Sequence, residues 1–160
     1  IAGFNYGAVK YDRVKESIYT AIKYAALVAT VVFIGLMVFP DFFTGLFLSN
    51  KENLPPEEIM TNAFVMDHAP NAMRMVFAAT PIIALQLIGA AYFQAVGKAI
   101  PALLLTLTRQ GFFFIPLILL LPHFMGELGV WLSFPIADVL ATVVTGYYLK
   151  KEIKTKLIVA

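Results

Sequence analysis

The stretch LGVWLSFPIADVLATVVTGYYL, residues 128–149, holds a single charge, Asp138, in an otherwise uncharged run. A helix needs roughly 20 predominantly apolar residues to cross about 30 Å of hydrocarbon, so this run predicts a membrane span. Toward the N-terminus the pattern recurs three times. Residues 100–122 carry only Arg109, residues 71–97 are uncharged from Met75 onward, and residues 12–40 are uncharged from Tyr24 to Pro40, with Asp12 as a candidate N-cap. The reading is an all-α, polytopic transmembrane helix bundle with four spans, at about 12–40, 71–97, 100–122 and 128–150.

Composition agrees. The 160 residues are 60% hydrophobic and 14% charged, against about 45–50% apolar and about 25% charged in soluble domains. The charges cluster between the long apolar runs, whereas a soluble core would show water a polar face on every element. A net charge of +2 and no aromatic-interleaved basic patch argue against nucleic acid. There is no cysteine, and His68 and His123 lie near the ends of different runs, so no metal site is expected. Paired histidines at i+4, a serine elbow, clustered catalytic acids and a phosphate-binding glycine loop are all missing from the sequence, so no enzyme is expected and no cofactor. The chain opens at Ile1 without methionine or a signal-peptide pattern, and is expected to be a piece of a longer protein.

The turns at Gly97-Lys98 and Pro122 to Glu127 are short, which makes the last three spans consecutive antiparallel hairpins. The connection 41–70 is long. Within it Pro55-Pro56-Glu57-Glu58 suits a helix first turn. A short amphipathic helix over Pro55 to His68 is expected at the membrane surface, ending at Ala69-Pro70 because a residue before proline is pushed out of the α region. Lys10, Arg13, Lys15, Lys23, Lys98, Lys150, Lys151, Lys154 and Lys156 fall on one side of the four spans, and only Lys51 and Arg74 on the other. By the positive-inside rule this asymmetry puts both ends of the chain in the cytoplasm. The acids Asp41, Glu52, Glu57, Glu58, Asp67 and Glu127 fall on the outer side.

An ionisable group at membrane depth costs at least about 2.5–3.5 kcal/mol, so Arg109 and Asp138 call for an explanation. With a turn near Met125, the two residues sit within about 4–5 Å of the same depth, inside the reach of an arginine. Two readings stand: a static ion pair between helices, or a carboxylate facing an aqueous cavity for coupling or substrate binding. Thr142 and Thr145 follow Asp138 at i+4 and i+7, a narrow polar stripe that should turn inward. Gln86 and Gln94 are either glue between helices or substrate contacts, with Gly89, Ala90 and Ala91 allowing close approach. Pro81, Pro116 and Pro135 lie inside the later spans and predict kinks. Phe112 to Phe114 read as lipid-facing or packing residues, and Trp131, Tyr147 and Tyr148 as interfacial belts.

Four segments carry a family resemblance. Gly3-Phe4-Asn5-Tyr6-Gly7-Ala8-Val9-Lys10-Tyr11-Asp12-Arg13-Val14-Lys15 resembles the cytoplasmic loop motif before the ninth helix of bacterial MATE (multidrug and toxic compound extrusion) exporters, in which lysine is usual in place of Val9. Tyr92 to Ala99 is similar to the end of their tenth helix, Leu107-Thr108-Arg109-Gln110 to the eleventh, and Gly129 to Asp138 to the twelfth. The resemblance implies a twelve-helix antiporter of two six-helix lobes in the bacterial inner membrane. It would expel drugs or organic cations against protons or sodium by alternating access. This chain would supply helices nine to twelve of the C-terminal lobe, with membrane lipid and the missing N-terminal helices as its partners. The candidate substrate- or ion-binding residues are Asp138, Arg109, Gln86, Gln94 and Thr142, and the loop motif is carried by Gly3, Asn5, Tyr6 and Gly7. Gln86 and Gln94 stand in the tenth-helix region where some sodium-coupled members have an aspartate, which leaves the coupling ion open. A related flippase for lipid-linked saccharides should show more cationic residues at depth. A channel or assembly subunit that does not transport is a third class.

Overall fold

The computed structural model describes residues 1–48 and 55–157, and every element among them is helical. Lys51 and Glu52, both counted in the charge asymmetry above, lie outside the described residues. Helix α1 (Ala2–Gly7) leads through a tight turn into α2 (Tyr11–Val38), followed by α3 (Pro40–Leu46), α4 (Pro56–Val76) and α5 (Thr80–Ala95). Next come α6 (Ala99–Leu107), a π-helical segment (Thr108–Phe114) and α7 (Ile115–Met125), which together form one long helix. The long α8 (Glu127–Glu152) closes the bundle and runs on as a π segment (Ile153–Leu157).

Among the described residues, three continuous helices are long and apolar enough to cross a membrane: Tyr11–Val38, Ala99–Met125 and Glu127–Leu157. A fourth crossing is formed if the bent pair α4 and α5 is one span, with a 49° bend between them. The expected uninterrupted second span is therefore corrected. At about 1.5 Å rise per residue, the 16 residues of α5 reach only about 24 Å, short of the hydrocarbon thickness.

The break has a chemical cause. In a regular helix the Phe77 carbonyl would accept from residue 81, but Pro81 has no N–H. The Thr80 backbone N–H (3.1 Å) and the Thr80 hydroxyl (2.7 Å) donate to that carbonyl instead. Pro81 consequently sits in the first turn of α5, not in a helix interior. Pro116 likewise falls in the first turn of α7, directly after the π segment, and only Pro135 of the three lies inside a continuous helix.

Two further expectations are corrected. Helix α4 does not stop at Ala69-Pro70; it passes through Pro70 to Val76, 21 residues in all. The Pro70 ring is buried where α4 meets its neighbours, and that packing outweighs the local preference against a helix before proline. Asp12 is a first-turn residue of α2, not its cap, and pairs with Lys15 at 3.0 Å.

Helix α5 is the hub, packed against α2, α6 and α8, while α7 and the π segment before it lie along α8. Close approach depends on missing side chains. A Cβ at Gly89 would stand 2.4 Å from Thr145 Cγ2, and one at Gly129 would stand 2.4 Å from the Leu121 carbonyl carbon. The tightest apolar cluster joins Val14 and Ile18 of α2, Tyr92 and Phe93 of α5, Leu105 of α6 and Leu149 of α8. It sits at the lysine-rich end. Elsewhere large apolar side chains such as Leu27, Val28 and Val31 of α2 are exposed, as lipid-facing positions require.

Candidate functional site

The Arg109 Nε donates to Asp138 Oδ1, joining the π segment to α8. The Asp138 side chain is almost wholly enclosed at 4% exposure, whereas that of Arg109 keeps 34%. This asymmetry means that the carboxylate depends on its partner and the guanidinium does not. A buried carboxylate without a countercharge is strongly disfavoured, while a partly open arginine retains other contacts.

Beside the pair lies a pocket of about 110 Å³ lined by Arg109, Gln110, Phe114, Phe134, Ala137 and Asp138. Phe114 and Phe134 form one wall, their ring centroids 4.6 Å apart. The π register is what brings Arg109 here: it rotates the following residues relative to an α-helix, and such bulges are frequent at functional sites. The pocket thus has an anionic group, a cationic group and an aromatic wall within one small volume. A cation entering it would find a carboxylate to neutralise it and ring faces to stack on.

Along α8 the polar stripe turns inward. Thr142 is buried and its hydroxyl lies 3.5 Å from the Ile82 carbonyl of α5, while Thr145 is fully buried against Gly89. Gln86 is buried on α5, three residues before Gly89. The oxygens Gln86 Oε1 and Thr145 Oγ1 have no hydrogen-bond partner among the described residues. Gln94 is separate from this group: it is exposed near the far end of α5.

The loop motif is a helix that docks. Asn5 is buried, its side-chain amide donates to the Ile1 carbonyl at 3.0 Å, and its own carbonyl accepts from the Lys10 N–H at 2.9 Å. A Cβ at Gly3 would stand 2.3 Å from the Ala95 carbonyl oxygen, so glycine there lets α1 rest on the end of α5. Nothing lies within 4 Å of a Cβ at Gly7, so space does not demand that glycine. Tyr6 packs edge-on against Tyr11, 5.8 Å between centroids.

A second ion pair escaped the sequence reading. Lys98, in the turn between α5 and α6, binds buried Glu152 at the end of α8. Tyr92 Oη lies 3.5 Å from the same carboxylate, and the Lys98 ammonium sits 5.9 Å from the Tyr6 ring centroid. One acid thereby ties α1, α5, α6 and α8 together. Its only sequence signal is a glutamate within the lysine-rich run 150–156, and nothing in that run points 54 residues back to Lys98.

With this geometry in view, a family model described as MatE matches residues 1–120. The chain belongs to the MatE family. Two solved structures resemble this MatE chain over 99% of its length at 35% identity. One is the MATE multidrug transporter DinF-BH, solved in complex with a drug, with a TM-score of 0.78, and the other, described as protein A, has a TM-score of 0.77. The MatE chain covers 32% of each of them, about a third of their length. No curated protein matches it.

Proposed function

We propose that this chain is the part of a multidrug efflux transporter that contains helices nine to twelve. In this reading the whole protein exports drugs or organic cations against protons or sodium by alternating access. It lies in the bacterial inner membrane, with both ends of this chain in the cytoplasm. The observation that carries the proposal is the similarity over nearly the whole chain to a multidrug transporter solved with a drug bound. The work is transport, not covalent chemistry, and its further partners are lipid and the remaining helices of the same transporter.

Within that reading Asp138 is the embedded acid and Arg109 its resting countercharge, displaced when a substrate cation or coupling ion occupies the adjoining pocket. Thr142 and Gln86 extend the polar lining toward α5. The flippase reading is disfavoured because Arg109 is the cation at this depth and Asp138 neutralises it, leaving no free positive charge there, among the described residues, for a phosphate.

The test is Asp138→Asn in the full-length transporter reconstituted in vesicles. The expected result is folded protein in the membrane that no longer exchanges ions when drug is added. Loss of folded protein, with normal transport per folded molecule, would assign the pair a structural role instead.

A further inference from the structure

Two adjoining clefts of about 370 Å³ each open beside the C-terminal end of α8. The first has an apolar floor that includes Ile22 of α2, Leu85 of α5 and Ile153, and a rim carrying Lys150 and Lys154. The second is lined by the same two lysines together with Lys151 and Tyr147. Lys150, Lys151 and Lys154 make no salt bridge among the described residues. The acid that neighbours them in sequence, Glu152, is turned away and committed to Lys98.

The result is a trough with uncompensated positive charge at one end and hydrocarbon walls along the other. Tyr19 and Tyr147 flank it, 60% and 64% exposed, with phenol groups suited to the headgroup level of a bilayer. An apolar tail below an anionic head is the complementary shape, and lysine binds phosphate oxygens as a compact charge. We propose that this trough is a binding site for an anionic phospholipid, its phosphate held by Lys150 and Lys154 and an acyl chain lying over Ile22 and Leu85. The headgroup chemistry follows from the lysines alone. Assignment to the inner leaflet rests on the cytoplasmic orientation proposed above, where anionic lipids are drawn to juxtamembrane lysines.

The full-length transporter, purified and equilibrated with equal amounts of phosphatidylglycerol and phosphatidylcholine, is examined by native mass spectrometry. The wild type should retain phosphatidylglycerol in preference. Lys150→Gln with Lys154→Gln should weaken that retention about fivefold per lysine, about 25-fold together. Lys150→Arg with Lys154→Arg should restore it, and Lys10→Gln with Arg13→Gln, which removes the same charge outside the trough, should leave it unchanged. Equal retention of the two lipids by the wild type, or undiminished phosphatidylglycerol on the glutamine variant, would overturn the proposal. So would a cross-link showing that an acidic segment of the same transporter fills the trough. Thiol labelling that placed this end outside the cell would remove the leaflet assignment and the topology, and leave lipid selectivity standing.

Discussion

Asp138 and Val9 show how a single residue reports on the fold from opposite directions. Asp138 is enclosed and paired, so removing its charge strands Arg109; breaking a buried pair from one side costs about 3–5 kcal/mol, and the 34% exposure of Arg109 places this case toward the low end. Adding Arg109→Gln to Asp138→Asn should recover part of the lost thermal stability, a coupling that a double-mutant cycle on the purified transporter would measure. Equal stability losses that simply add would show the two groups to be independent. Val9 is the reverse case, a 63% exposed β-branched residue held at φ +59° in the turn between α1 and α2. The left-handed region costs a residue with a Cβ about 1–2 kcal/mol, and little packing is lost by trimming an exposed valine. Val9→Gly should therefore raise the thermal midpoint modestly, the gain reduced by the freedom glycine adds to the unfolded chain.

The elements show which inferences local sequence supports. Uncharged run length located the long helices to within a few residues, because hydrocarbon demands it wherever the helices pack. Pro81 signalled an interruption, but its placement depends on Thr80 satisfying the Phe77 carbonyl twice, which no periodicity encodes. At Pro70 the local rule lost to burial of the ring among neighbouring helices. The Arg109–Asp138 pair was legible because both charges stand alone in apolar runs joined by one turn, so depth could be counted. The Lys98–Glu152 pair was not, since each residue sits among charges that need no explanation. Packing between α5 and α8 gives the test at this scale. Gly89→Ala would drive a methyl to 2.4 Å from Thr145 Cγ2 and should cost about 1–3 kcal/mol of stability as overpacking. Thr145→Ser removes the colliding methyl and should restore most of the loss, so a double variant no more stable than Gly89→Ala would refute this account.

Across the whole molecule, charge and packing are polarised along the same axis. The lysine-rich end holds the tightest apolar cluster, the docked α1 helix and the Glu152 tie, whereas the other end carries Asp41, Glu57, Glu58, Asp67 and Glu127 on exposed or half-exposed turns and helix starts. Translocation across the bilayer selects against lysine and arginine near span ends, so the side that keeps them stays in the cytoplasm. The bent pair α4 and α5 is decisive for this orientation. If it crosses the bilayer as one span, residue 58 and residue 156 lie on opposite sides; if it enters and returns, they lie on the same side. Single cysteines replacing Glu58 and Lys156 in a cysteine-free full-length transporter separate the cases, since both positions are exposed. With an impermeant thiol reagent applied to intact cells, Glu58→Cys should label at once and Lys156→Cys only after the membrane is permeabilised. Labelling of both from outside would make α4 and α5 a re-entrant hairpin or reverse the chain, and labelling of Lys156→Cys alone would invert the charge argument altogether.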